Sequence, residues 1–177
     1  MSALPAAAAA VLAQLVEAGR HVVERGLVLA SGGNLSARLD DDSYLVTASG
    51  TWLNRLSDTD FSVIDSDGRV VAGSSQPSVE WKLHHRTYAA RPDVRAVIHL
   101  HPQHALLVDM LGQPIRTTTL DHAYYLGPIA RIPFRPAGSE ELADLASAAV
   151  TDGTNVVVMA HHGSSALGDT VEMALRR

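Results

Sequence analysis

The sequence predicts an α/β domain of the α+β-like kind, with a central, mostly antiparallel β-sheet flanked by helices. Three observations carry this. The 177 residues, 46% of them apolar, suffice for one compact domain with a sizeable core. No linker or repeat divides the chain, so residues 1–177 read as a single domain. The candidate strands are mostly joined by turns or short helices, which favours antiparallel pairing.

The elements follow in order. Leu12, Leu15, Val16, Gly19, Val22 and Val23 recur at helical spacing and give the first segment an apolar face. "SGGNLSARL" breaks that helix with two glycines and starts a strand. The acidic "DDD" is a turn, and "SYLVTAS" is the β-rich run after it. "FSVIDSDGRVVAG" is a hairpin turning at Ser66, Asp67 and Gly68. "VEWKLHHRTYAARPDV" is a helix that stops near Pro92, and "RAVIHLH" a strand ended by Pro102. "HALLVDMLG" is a short helix closed by Gly112, and "ARIPF" a strand. "GSEELADLASAAV" is a helix with Ser139 as its N-cap. "NVVVMAHHG" is a strand running into a glycine turn, and "DTVEMALRR" the last helix.

Composition excludes several partners. The formal charge is only −5 and no Lys/Arg block occurs, which argues against nucleic acid. With no cysteine, disulfides and thiolate–zinc sites are excluded, so any metal must use His, Asp or Glu. The N-terminal apolar stretch lacks a basic n-region and is interrupted by Glu17 and Arg20, so it reads as a helix rather than a signal peptide. No apolar run is expected to reach the length of a membrane span, and a cytoplasmic location is the expectation.

Nine histidines are many for this length, and two clusters stand out: "HLHPQH" (His99, His101, His104) and "AHHG" (His161, His162). Both end strongly apolar runs. Residues two apart in a strand share a face, so His99 and His101 either bind an ion together or form a partly exposed surface pair. Two imidazoles from one strand end and a third from another supply three corners of a zinc tetrahedron, with the fourth open to substrate or water. Glu80 sits at the start of a helix, where the helix dipole favours the ionised carboxylate. It is either a partner of the metal or an ordinary N-terminal charge. His84, four residues on along the same face, reads as a structural neighbour. "SGGNLS" and "TASG" carry the backbone N–H groups and hydroxyls from which a lysine-free anion site is built.

In order along nearly the whole chain, "GGNLSARL", "LVTASG", "QPSVEWKLHHRTYAARPDVRAVIHLHP", "GSEELADL" and "MAHHG" resemble the class II aldolase/adducin family. This is the group of L-fuculose-1-phosphate aldolase and L-ribulose-5-phosphate 4-epimerase. The resemblance implies a divalent metal held by His99, His101 and His162, most simply zinc, although Mn2+, Co2+ and Fe2+ suit the same ligands. It implies that Glu80 is the catalytic carboxylate and that Asn34, Thr47, Ser49, Gly50 and Ser78 line a substrate phosphate site. It also implies a homotetramer with active sites between subunits, where Tyr124 or Tyr125 from a neighbour donates a proton. The substrate would be a small sugar phosphate or sugar acid, cleaved by retro-aldol chemistry through a metal-stabilised enediolate.

Three departures from the family pattern matter. Val79 stands where these aldolases often have a second serine, removing one hydroxyl donor from the anion site. Glu80, rather than Asp, argues against the epimerase branch. The chain ends at Arg177, within a predicted helix, so its C-terminal tail is expected to be short. Two other reactions use the same metal site, decarboxylation of a 3-oxo sugar acid and dehydration. A non-catalytic, adducin-like assembly domain and a purely structural zinc site are the remaining readings.

Overall fold

The computed structural model describes residues 3–177; the first two positions of the predicted 1–177 span lie outside the described residues. After a short 3-10 turn, Ala6–Ala8, comes helix α1 (Ala9–Glu24). Strands β1 (Asn34–Arg38) and β2 (Ser43–Thr47) form the first hairpin. Strands β3 (Phe61–Asp65) and β4 (Val70–Gly73) form the second. Its tight turn uses Gly68 at φ 79°, the left-handed region that glycine enters without a Cβ clash. Helix α2 (Trp81–Ala90), strand β5 (Ala96–Leu100) and helices α3 (Gln103–Met110) and α4 (Leu120–Tyr125) follow. Strand β6 (Ile129–Ile132), helix α5 (Glu140–Ala148), strands β7 (Val156–Met159) and β8 (Gly163–Gly168) and helix α6 (Val171–Arg176) complete the chain.

All the strands join one eight-stranded sheet in the order β4-β3-β2-β1-β5-β8-β7-β6. Every pairing is antiparallel except β6 with β7, which α5 links as a parallel crossover. Helices pack on both faces. Leu15, Ala18 and Val22 of α1 share one core with Leu35, Ala37, Ala96 and Ile98 of the sheet and with Val171 and Ala174 of α6. Burying a side chain such as Leu15 or Val22 contributes about 1.5–3 kcal/mol, so this helix is held by packing rather than by intrinsic propensity. Leu83 and Tyr88 of α2, with Leu142 and Ala146 of α5, cover Val46, Val97, Val157 and Leu167 on the opposite face. Arg91, just past α2, anchors that helix by donating to the carbonyls of Val150 (2.8 Å) and Thr154 (3.0 Å).

Register sets up the site. Asn34 pairs with His99 across β1–β5, and His99 with Ser165 across β5–β8. Directly opposed residues point to the same face, so these three polar side chains form a row across the middle of the sheet, on the side covered by α2.

The structure corrects three expectations. The segment after "AHHG", read only as a glycine turn, is β8, a central strand between β5 and β7. "GSSALG" has no β-branched or aromatic residue, so its propensity is poor, and its place is set by two neighbouring strands. Helix α4 was not anticipated; Thr119 caps it, its side chain accepting from the His122 N–H at 3.1 Å. Finally, the 19-residue helical stretch Ala6–Glu24 is, by length and composition, long and apolar enough to cross a membrane. Its Leu15, Ala18, Gly19 and Val22 are nevertheless buried in the protein, while Glu17 and Arg20 are exposed.

A candidate metal centre in a polar cleft

His99 lies on β5 and His101 one residue beyond its end, so the predicted shared face is kept across the strand terminus. Both rings reach the same point, with Nε2 atoms 3.1 Å apart. His162 comes from the turn between β7 and β8. That turn separates the tandem histidines. His161 adopts φ 56°, is exposed and packs its ring edgewise on Phe134, whereas His162 turns inward. Glu80 is the residue immediately before α2, at its N-cap position. The loop that delivers it is stapled to the end of β2: Ser78 N–H donates to Thr47 O, and Ser49 N–H to Gln76 O.

Glu80, His99, His101 and His162 bring one ligand atom each to within 4.8 Å of one another. Glu80 Oε2 is 3.2 Å from His99 Nε2, and Oε1 is 3.0 Å from His162 Nε2. Glu80 and His99 are buried, at 4% and 0% exposure. Burial pushes the Glu80 carboxyl up, but the facing His162 and His99 rings outweigh it and hold the group well below the usual carboxylate range. Burial, reinforced by the charges of His99 and His162 and opposed by Glu80, pushes His101 down to about 4. Its imidazole is therefore unprotonated at neutral pH, the form that ligates a metal.

The donor set fits a divalent cation. Ligands at about 2.0–2.1 Å in a tetrahedron sit about 3.4 Å apart, close to the separations seen here. Among the described residues, buried Glu80 Oε1 has no aligned hydrogen-bond partner although it lies 3.0 Å from His162 Nε2, an arrangement that suits atoms gathered around an ion better than atoms bonded to each other. His99 Nδ1 contacts Ser165 Oγ at 3.3 Å, the kind of outer contact that orients a ligating ring. Gly163 leaves room for two of the rings. A Cβ there would come within 2.7 Å of His101 Cδ2, 2.9 Å of His99 Cε1 and 2.4 Å of Leu100 O. Gly163→Ala is accordingly expected to weaken metal binding by about 10–100-fold, as losses around the ligands do. Competition with a chromophoric chelator measures this, and unchanged affinity would mean that the rings have slack.

The centre opens into a cleft of about 330 Å3. Both glycine–serine stretches line it, "SGGN" at residues 31–34 and "ASGT" at 48–51, together with Ser78, Val79, Glu80, His101 and His162. Asn34, Ser49, Gly50 and Ser78 thus all line the cleft. Thr47 is one layer behind, buried, with Oγ1 accepting from Leu35 N–H at 3.2 Å. Val79 is 63% exposed at the rim. Tyr124 and Tyr125 are not among the residues lining this cleft in their own chain; Tyr124 is 80% exposed and Tyr125 OH meets Arg176. Larger cavities of about 650 and 610 Å3 lie elsewhere, but neither is lined by the four clustered donors.

Sequence reasoning missed Ser36, Tyr88 and Ser165 and read His84 only as a structural neighbour of Glu80. The same alternation that exposed His99 and His101 applies to Asn34 and Ser36 in "NLSAR", two polar residues on one face of a buried strand.

Residues 13–177 match the family described as the Class II Aldolase and Adducin N-terminal domain. The chain belongs to this family. Among class II aldolase relatives, it is 37% identical over 163 residues to a 5-methylthioribulose-1-phosphate/5-deoxyribulose-1-phosphate aldolase of Rhodospirillum rubrum, covering 92% of this chain and 72% of that protein. It is 33% identical over 154 residues to a 3-oxo-tetronate 4-phosphate decarboxylase of Haemophilus influenzae, covering 84% and 72%. The solved L-fuculose-1-phosphate aldolase of Thermus thermophilus superposes with a TM-score of 0.81 at 26% identity, covering 93% of this chain and 85% of that one. Class II aldolases use a divalent metal, and the His/Glu cluster is the candidate site for it here. The family assigns this chain to the metal-dependent lyases.

Proposed function

We propose that the protein is a zinc-dependent class II aldolase that cleaves a small phosphorylated ketose into dihydroxyacetone phosphate and an aldehyde. The observation that carries this is the convergence of His99, His101, His162 and Glu80, three of which (Glu80, His101 and His162) line a cleft together with two glycine–serine turns. Its volume of about 330 Å3 is at the small end of ligand pockets.

His99, His101 and His162 hold the metal, which when bound supplies Lewis-acid polarisation of the substrate's carbonyl and neighbouring hydroxyl oxygens. Asn34, Ser49, Gly50 and Ser78 receive the phosphate, with Thr47 supporting them from behind. Cleavage removes the proton of the hydroxyl that becomes the aldehyde, and the carbon–carbon bond breaks. The electron pair stays on the ketone fragment as an enediolate, and Glu80, ionised at rest, receives the proton released by the hydroxyl and passes it to the enediolate carbon, so that no net proton is gained or lost. Tyr124 or Tyr125, contributed by a neighbouring copy in a homotetramer, handles the proton on the aldehyde side. Their placement outside their own chain's cleft supports that reading.

The decarboxylase among the relatives favours one alternative, loss of CO2 from a 3-oxo sugar acid phosphate on the same donor set. Here the bond to the carboxylate breaks, CO2 leaves, and the same carbon takes up the proton. The two readings separate by product. Zinc-loaded protein is offered fuculose 1-phosphate, 5-deoxyribulose 1-phosphate and 5-methylthioribulose 1-phosphate, with dihydroxyacetone phosphate detected enzymatically, and 3-oxo-tetronate 4-phosphate, with CO2 detected. Chelator-sensitive dihydroxyacetone phosphate is expected. CO2 from the sugar acid with no aldol product would replace the proposal by the decarboxylase.

A further inference from the structure

A buried polar ladder joins α2 to β1. Glu80, His84 and Tyr88 follow at four-residue spacing on the helix side, Asn34 and Ser36 at two-residue spacing on the strand. Four helical residues advance about 6.0 Å and two strand residues about 6.4–6.8 Å. The two rows therefore stay in step, with each strand residue between two helix residues. Asn34 Nδ2 donates to Glu80 Oε2 at 2.9 Å, and Asn34 Oδ1 meets His84 Nε2 at 2.5 Å. Ser36 Oγ is 2.6 Å from His84 Nδ1 and 2.7 Å from Tyr88 OH. None of the five residues is more than 4% exposed.

The hydrogens of this ladder can be assigned from the chemistry of its groups. A carboxylate only accepts, so Asn34 turns its NH2 toward Glu80 and its oxygen toward His84. That oxygen also only accepts, so His84 Nε2 carries a hydrogen. A buried imidazole with no carboxylate against it carries only one, so His84 Nδ1 accepts from the Ser36 hydroxyl. Ser36 Oγ in turn accepts from Tyr88 O–H. Every bond of the ladder then donates toward Glu80.

We propose that His84 is a positioning residue for Glu80: held as its Nε2–H tautomer by Ser36 and Tyr88, it fixes the orientation of the Asn34 amide that holds one carboxylate oxygen. This rests on the reading of Glu80 as the group that carries the proton. Without the His84 donor, the Asn34 amide is free to rotate, and a flipped amide would set oxygen against oxygen at Glu80. The carboxylate would then lose the amide donor that fixes Oε2 in its place beside His99. Misplacing a reacting group by about 1 Å costs about 100-fold in rate.

The first test needs no substrate. In zinc-loaded protein with 15N-labelled histidine, long-range 1H–15N spectra distinguish the tautomers, and His84 is assigned by the signal that His84→Gln removes. The Nε2–H form is expected; the Nδ1–H form or an imidazolium would overturn the proposal. The second test compares His84→Leu, which fills space without a donor, with His84→Gln, whose amide nitrogen reaches the Nε2 position. His84→Leu is expected to lose about 100-fold in kcat, with little change in KM and an unchanged absorption spectrum of the cobalt-substituted protein. His84→Gln should recover most of the loss. Normal turnover in His84→Leu, or equal loss in both variants, would reduce His84 to packing. A wild type inactive on every ketose phosphate would sink the aldolase reading only, because the tautomer measurement stands apart from it.

Discussion

Glu80→Gln is expected to lose about 100- to 10,000-fold in kcat while keeping its metal and its fold. The substitution is nearly isosteric. The amide oxygen of glutamine can still accept from Asn34 Nδ2, so the buried ladder stays satisfied on that side. What disappears is the ability to give and take a proton at a neighbouring carbon, together with the negative charge facing His99 and His162. The three imidazoles remain, and they form most of the donor set. Steady-state kinetics with the coupled assay give kcat, and elemental analysis gives metal per chain. Wild-type turnover in this variant would remove Glu80 from the proton-transfer step. Loss of metal together with activity would make it a ligand first.

His99→Ala is expected to abolish stable metal binding and, with it, activity. His99 is fully buried, lies 3.1 Å from His101 and 3.2 Å from Glu80, and touches Ser165 on its far side. Its removal leaves two imidazoles where a catalytic metal needs three protein ligands. The loss should exceed that from Ser78→Ala. A hydrogen bond to a charged group is worth about 1.5–3 kcal/mol, or about 10- to 150-fold in rate, whereas electrostatic stabilisation at the reacting oxygen is usually the largest contribution to catalysis. Metal content after dialysis decides this directly, and an unchanged stoichiometry would exclude His99 from the ligand set. Chelation of the wild type adds a second reading: a catalytic metal should leave a folded, inactive protein, whereas a structural one should take the fold with it.

Much of this was legible in the residues. The alternation in "IHLH" is a period-2 signal, and it alone places His99 and His101 on one face. The two glycines after α1, Pro92 after α2, Pro102 after β5 and Gly112 after α3 marked boundaries directly. The failures have physical causes. Strand β8 is built from Gly163, Ser164, Ser165, Ala166, Leu167 and Gly168, small residues favoured by close neighbours rather than by local propensity. A Cβ at Gly163 or Gly168 would fall within 2.4 Å of backbone atoms, so the bulky residues that announce a strand are excluded at both ends of this one. The parallel β6–β7 pair was invisible because pairing direction is set by how α5 crosses the sheet. The ladder has no signature in the sequence because it joins a four-residue period on one element to a two-residue period on another. Only the packing of α2 on β1 shows that the two are in step. For Tyr124 and Tyr125, the contact we propose lies between copies of the chain, where a single chain's sequence pattern carries no signal.

The donors that meet at this centre are remote in the chain: Glu80 before α2, His99 and His101 at the end of β5, and His162 in the β7–β8 turn. Only the correctly registered sheet gathers them, since a one-residue slip of β5 would turn His99 to the other side. An unfolded or misregistered chain therefore holds at best the His99/His101 pair and competes poorly for the ion. By mass action, a ligand selective for the native state at 100 times its Kd adds about 2.7 kcal/mol to the free energy of unfolding. The ion needed for chemistry thus also rewards the chain for pairing its strands correctly, and metal supply and thermal tolerance become linked quantities in this protein.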